Sequence, residues 1–484
     1  MKFFCKTQTL LIIILLLGLF FRIYKLESFY IFTHDQDLYS WIVKDILVDK
    51  HYRLIGQLTS IDGVFIGPLF YYFLTPFFVG LKMNPLAATI PGTIIGLLTV
   101  YSFYWVLKRL FNQEVGLIAS FLYSVSWTNA FFDRWIVPTQ PTVLWSVWFL
   151  YALFIFYKGN QKSFILLAIL SGLIWHIHVA LGPLLLLIPL VLVISRPKTY
   201  LKNLLIPLFI FLILTAPFWF FEIRHDFGQI RGLWFFLAQD SEEAEGLFRL
   251  SRILDNAAGP LGGNLIFGYK ISGLLEILLL GIISLYLNFK KAIFKNHLLI
   301  LWVWVVVMLL SQLVSKRGIS EYYFANLVVI PILLVSVLTS YLYQNSRKNI
   351  ILLFIGGFFL VNTYFFIKMP EYGDSYLEKK RVVEYIQNDM SKNNYPCIGV
   401  NYIAKFGTDV GFRYLLWWKG VNLIKPGSGA PNYNIVIPWS TSEGEIDARF
   451  GSLGVILPKE EKFNDYKVCS DPNNQLLPLL GFTK

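Results

Sequence analysis

Between Leu10 and Ile367, apolar runs recur at close to the length of a membrane-spanning helix, separated by short basic or polar breaks. A bilayer core of about 30 Å takes roughly 20 mostly apolar residues per helix. In lipid every backbone N–H and C=O needs an internal partner, so such runs must be helices that pack into a bundle. Composition agrees: 56% of the chain is hydrophobic and 15% charged, whereas soluble domains sit nearer a quarter charged.

About eleven spans are expected, at Leu10–Tyr24, Leu86–Leu107, Val115–Phe131, Pro141–Tyr157, Phe164–Val179, Leu181–Ile194, Leu204–Phe221, Ser272–Asn288, Leu298–Val314, Tyr322–Tyr343 and Ile350–Ile367. The first follows Lys2 and Lys6, but Arg22, Tyr24 and Lys25 stand where a signal peptide has its small-residue cleavage site, so an uncleaved anchor is expected. With the N-terminus in the cytoplasm, the cytoplasmic connections carry Lys108/Arg109, Lys158/Lys162, Arg196/Lys198/Lys202, Lys290/Lys291/Lys295 and Arg347/Lys348. Every one is basic, as the positive-inside rule requires. The stretch Gly67–Leu81 would reverse this parity if it crossed; short and holding Pro68 and Pro76, it is expected to be an outer-surface or re-entrant helix. The net charge of +12 is spread between apolar runs and forms no basic arm, which speaks against nucleic acid.

Residues 1–368 therefore read as an all-α polytopic membrane domain with surface helices. Residues 369–484 read as a small extracytoplasmic α/β domain, with a helix over Tyr376–Asn388 and strands near Cys397–Ile403, Ile435–Pro438 and Leu453–Leu457. Cys397 and Cys469 fall on the oxidising side in this topology, and a disulfide between them is expected.

Chemistry concentrates on the outer face. Directly after the first span comes Thr33-His34-Asp35-Gln36-Asp37-Leu38-Tyr39, followed by an amphipathic stretch to Val48 that suits a helix lying in the headgroup layer. A carboxylate partly desolvated beside lipid is suited to take a proton from a hydroxyl or amine; the plainer role for either Asp is to cap that helix. Arg134, in Phe132-Asp133-Arg134-Trp135, offers the planar fork that clamps a phosphate, or is an interfacial residue beside a belt Trp. Lys316 and Arg317 are basic on the outer side, against the usual trend, and suit a lipid phosphate or anionic headgroups alike. His178, Tyr322 and Tyr323 join His34 and Tyr39 as candidate cavity residues. His176 and His178, two apart, point to different faces of a helix, so at most one faces a cavity. The amphipathic segments flanking the acidic run Asp240–Glu245 are candidates for a lid. No metal-ligand spacing is present.

At these residues the sequence resembles the membrane glycosyltransferases of the GT-C superfamily, in particular the glycosyltransferase family 39-like branch of protein O-mannosyltransferases and aminoarabinose transferases. Asp35 is similar to that branch's catalytic Asp after the first span, with Gln36 where Glu is usual. Gly67-Pro68-Leu69-Phe70 resembles its His/Lys-Pro-Pro-Leu segment, Lys108-Arg109-Leu110-Phe111 its cytoplasmic Arg-Arg-Leu-Phe turn, and Asp133-Arg134 its Ser-Arg. The resemblance covers roughly Leu10 to Phe221.

It implies an inverting transfer of sugar from a polyprenyl-phosphate donor to a lipid, glycan or protein acceptor. Asp35 would be the base, with Asp37 assisting, orienting the acceptor or binding a divalent cation, although the branch works without metal. Arg134, with Lys316 or Arg317, would hold the donor phosphate. A polysaccharide polymerase or ligase is an alternative, expected to carry arginine-rich outer loops; a lipid-linked sugar transporter is another, expected to carry charges within its spans.

Overall fold

The computed structural model describes all residues except 1, 60, 196–200, 239–246, 264–272, 316–317, 346, 406, 442–444, 460–462, 464 and 477–484. Each expected apolar stretch is helical over its described part. Among the described residues, five helices are long and apolar enough to cross a membrane: Pro85–Leu110, Leu205–Arg224, Lys295–Val314, Glu321–Gln344 and Lys348–Ile367. Gln113–Val125 and Trp127–Arg134 make a sixth if the pair, bent by 65°, is one span. The shorter apolar helices, Thr142–Tyr157 and Gly273–Phe289 among them, have apolar stretches of 10–17 residues, at most about 26 Å at 1.5 Å per residue, so length and composition mark five or six candidate spans among the described residues. The chain is an integral membrane protein, mostly helical, with one small sheet near its C-terminus.

The bundle packs around Val100, Phe103, Leu122, Phe149, Trp304, Leu327 and Leu333, all buried. A second core lies beside it, where three pieces of sequence meet. The first is the helix His34–Leu47, which buries Tyr39, Ile42, Val43 and Ile46, the i, i+3, i+4, i+7 stripe of an amphipathic helix. The second is the helix Leu69–Gly80, where the outer-surface helix was expected; its 12 residues reach only about 18 Å. It buries Phe70, Tyr71, Leu74 and Phe78 and exposes Leu69, Phe73 and Val79. The third is the C-terminal region, whose Tyr376, Val382, Val383, Ile386, Tyr414 and Leu415 join the same core.

The C-terminal region opens with a helix at Tyr376–Lys392. Among its described residues are five strands, β1 (Ile398–Ala404), β2 (Leu423–Ile424), β3 (Asn432–Ile437), β4 (Ala448–Phe450) and β5 (Leu453–Ile456), in the order β2-β1-β3-β5-β4. β1 is parallel to both neighbours, and parallel strands need a crossover; the helix Phe412–Trp418 supplies the one from β1 to β2. β3–β5 and β4–β5 are antiparallel. Three strands stand where they were expected. β2 and β4 were not foreseen, being too short for a period-2 pattern to register. Cys397 and Cys469 are disulfide-bonded, as expected.

Candidate active site

Asp35 lies in the first turn of the helix His34–Leu47, whose N-cap is Thr33; neither Asp35 nor Asp37 is therefore the cap. Both favour the helix from its positive end. Gln36 forms the other half of a capping box, its Oε1 accepting from Thr33 N at 3.2 Å and from Thr33 Oγ1 at 3.0 Å. Its Nε2 donates to the carbonyl of Ile136 at 3.0 Å. A carboxylate could not make that bond, which gives a physical reason for Gln where the resembling sequences have Glu.

Gln57 faces Asp35. A small hairpin, with Gly56 N bonded to Ile66 O and Ile66 N to Gln57 O, presents it beside the helix Leu69–Gly80. Tyr71 Oη donates to Gln57 Oε1 at 3.1 Å and accepts from Gln57 N at 3.0 Å. That fixes the amide so that its NH2 group donates to Asp35 Oδ1 at 3.4 Å. Burial raises the Asp35 carboxyl above the ordinary carboxylate range, opposed by the charge of His34 and the Gln57 hydrogen bond. His34 itself is exposed.

Two residues on a helix are about 200° apart, so Asp37 turns away from Gln57 and toward the C-terminal region. Burial pushes it up to about 7, opposed first by the charge of Lys379, then by the Gly411 N–H, Trp41 and Arg413. One carboxylate thus stands beside Gln57 and the other under the C-terminal region. Tyr39, fully buried, hydrogen-bonded to Tyr30 and edge-on to Phe70 and Phe78, packs into the core beneath the helix.

His178, Tyr322 and Tyr323 do come together. The His178 ring lies 5.7 Å from Tyr322 and 5.2 Å from Tyr323, with its Nδ1 accepting from Ala180 N at 3.0 Å. His176 is instead spent on structure, its Nε2 2.8 Å from the Leu214 carbonyl and its Nδ1 facing Leu69 N at 3.4 Å. Gly67 is required beside it, because a Cβ there would stand 2.1 Å from His176 Nδ1.

A mostly apolar cavity of about 420 Å³ opens beside Tyr322, walled by Trp127, Trp135, Val137, Gln140 and Asn256 among others. The end of the helix Leu247–Ala258 borders it, which suits the expected lid in part; the acidic run Asp240–Glu245 lies outside the described residues. Asp133 is on the cavity wall but its carboxylate is occupied, taking bonds from Arg22 Nε at 2.8 Å, Arg22 Nη2 at 2.5 Å and Tyr123 Oη at 2.9 Å. Arg134 is 5% exposed. One nitrogen donates to the Tyr24 carbonyl at 2.9 Å, the Phe29 and Phe366 rings flank the guanidinium, and its Nε and Nη1 have no hydrogen-bond partner. Lys316 and Arg317 lie outside the described residues. Among the described residues no group of three or more His, Cys, Asp or Glu is placed to hold a metal ion.

Sequence reasoning missed Gln57, Lys379 and Arg22. Only Arg22 left a signal, as a cation in the last turn of an apolar helix that required a buried partner.

A bundle of apolar helices, a capped helix bearing a half-buried carboxylate, and a C-terminal region whose helix Phe412–Trp418 packs on it through Tyr414 and Trp417 against Trp41 together describe the fold around the site. The chain shares the fold of ArnT from Cupriavidus metallidurans bound to undecaprenyl phosphate: TM-score 0.60 at 10% identity, over 94% of this chain and 97% of that one. The apo state of the same protein gives TM-score 0.57 at 10% identity, over 89% and 95%. Residues 67–221 match the family described as dolichyl-phosphate-mannose-protein mannosyltransferase, a stretch that contains Arg134 and His178 but not Asp35. No curated protein matches the chain by sequence. The chain therefore shares its fold with ArnT and, over residues 67–221, is similar to the dolichyl-phosphate-mannose-protein mannosyltransferase family.

Proposed function

We propose that the protein is a membrane glycosyltransferase that moves a sugar from a polyprenyl-phosphate carrier to an acceptor on the extracytoplasmic side, with Asp35 as general base. The observation that carries this reading is the setting of Asp35: on a capped helix, half-buried, oriented by Gln57 and holding its proton more tightly than an ordinary carboxylate. A base with its pKa nearer the working pH combines availability with driving force. In the step proposed, the acceptor hydroxyl or amine gives its proton to Asp35 while its lone pair attacks the anomeric carbon. The bond from that carbon to the carrier phosphate breaks with inversion, and the phosphate leaves with the bonding pair.

The unpartnered nitrogens of Arg134 support its role in binding the carrier phosphate, since a buried guanidinium with donors to spare is stabilised by an anion. Lys316 and Arg317 keep a phosphate role on their sequence position alone. The fold shared with ArnT, whose structure holds undecaprenyl phosphate, favours a donor of the same chemical class. The basic connections favour eleven crossings, with the N-terminus cytoplasmic and the C-terminal region outside.

The test is transfer of radiolabelled sugar from polyprenyl-phosphate-sugar donors in membranes holding the wild type or Asp35→Asn at equal expression. Removal of a general base is expected to cost about 10²–10⁴ in rate. Undiminished transfer by Asp35→Asn would remove Asp35 as the base.

A further inference from the structure

The C-terminal region holds the start of the Asp35 helix through contacts that the transfer chemistry does not use. Lys379, on the helix Tyr376–Lys392, is 1% exposed. Its Nζ donates to the carbonyl of Phe32 at 2.7 Å and to that of Val410 at 3.0 Å. Phe32 is the residue before the N-cap Thr33. Tyr376 N donates to the Tyr30 carbonyl at 3.0 Å, and the Phe32 ring packs edge-on against Tyr376 and Tyr414. Gly411 donates its N–H to Asp37 at a φ of +91°, and a Cβ there would press on Phe32 Cδ1 at 2.9 Å. So residues 30–33 and Asp37 are gripped from one side by a single surface.

A buried ammonium is costly unless it is paired and hydrogen-bonded. Lys379 meets the second condition through two backbone carbonyls, and the carboxylates of Asp374, Asp37 and Asp409 favour its charge without a direct ion pair. An apolar residue would fill the same space without fixing the Phe32 carbonyl. Resting on the assignment of Asp35 as base, we propose that Lys379 is a positioning residue: it binds the Phe32 carbonyl and balances Asp37, and so sets where the Thr33–Asp35 turn stands. The C-terminal region is then part of the active-site framework.

The test uses full-length protein in membranes. Lys379→Met is expected to lower kcat about 10- to 100-fold at temperatures well below its Tm, with donor KM changed by less than about 2-fold. Adding Asp37→Asn removes the carboxylate left uncompensated and is expected to recover at least about 5-fold of that loss, a coupling that independent sites do not show. An unchanged kcat, a loss confined to KM, or strictly additive effects would overturn the proposal. A second arm needs no transfer activity. Asp35→Cys is labelled with a membrane-impermeant maleimide with and without Lys379→Met, and the rate is expected to rise at least about 5-fold when the grip is lost. Equal rates would overturn the positioning role; faster labelling in a protein whose wild type transfers nothing would retain the grip while removing the proposed function.

Discussion

Gln36 reaches across one hundred positions of sequence to the Ile136 carbonyl, at 3.0 Å. Ile136 stands between Trp135 and Val137, both on the cavity wall, so the first turn of the Asp35 helix and that wall are tied by one hydrogen bond. The same side chain closes the capping box, and it does both because an amide accepts with one atom and donates with the other.

Gln36→Glu tests that division of labour. Only a protonated Glu could still donate to Ile136, so its folded-state pKa is expected above the ordinary value of about 4.3. A raised folded pKa contributes stability below the unfolded value, lost as pH rises through the folded one. The variant is expected to fall progressively behind the wild type between about pH 4 and 7, by about 1–3 kcal/mol at neutrality for the unsatisfied pair. Thermal unfolding in detergent across that range measures it, and a gap that does not vary with pH would contradict the tie.

Gln57→Leu removes a bond that favours ionised Asp35. The carboxyl then rises further above its ordinary range and stays protonated to higher pH, so the acid limb of the pH–rate profile is expected to move upward. A limb that stays in place, or moves down, would show that Gln57 does not govern the base.

Gly67→Ala forces a Cβ to 2.1 Å from His176 Nδ1. The ring cannot easily retreat while its Nε2 holds the Leu214 carbonyl at 2.8 Å. Overpacking of this kind costs about 1–3 kcal/mol, to be read as a lower unfolding temperature. Wild-type stability in the variant would mean the ring moves freely.

Loss of the Cys397–Cys469 bridge, which closes a separation of 72 residues, is expected to cost about 4 kcal/mol on the chain-entropy account. Thermal unfolding of Cys397→Ser with Cys469→Ser gives the number. Because the bridged region grips the Asp35 helix, transfer at raised temperature should fail before the helical bundle does; simultaneous loss would show that the two unfold as one.

What the sequence made legible was whatever repeats locally. Apolar runs, basic breaks and the amphipathic stripe Tyr39, Ile42, Val43, Ile46 depend on near neighbours, and the helices stand where those patterns put them. The site is legible only in part. Asp35 and Asp37 attracted notice as a pair, yet helix geometry alone separates them by about half a turn, a step available from the spacing. Lys379 gave no sign of itself, because a lysine on an amphipathic helix ordinarily lies in solvent. Its burial arises only when residue 379 meets residue 32, and no local pattern encodes that meeting. Gln57 is hidden for the same reason, its role being fixed by Tyr71 and by a hairpin with little regular strand.

The grip of the C-terminal region also imposes an order in time. His34–Leu47 is synthesised well before Lys379 and Gly411, which follow it by more than 300 residues. The ribosome has therefore delivered most of the helical bundle before the turn bearing Asp35 gains its anchor. A nascent or truncated chain could be inserted, apolar and packed, while still lacking a fixed base. The proposed transfer would then begin only once residues 379–411 had been made and had docked, and copies lacking them would stay inert.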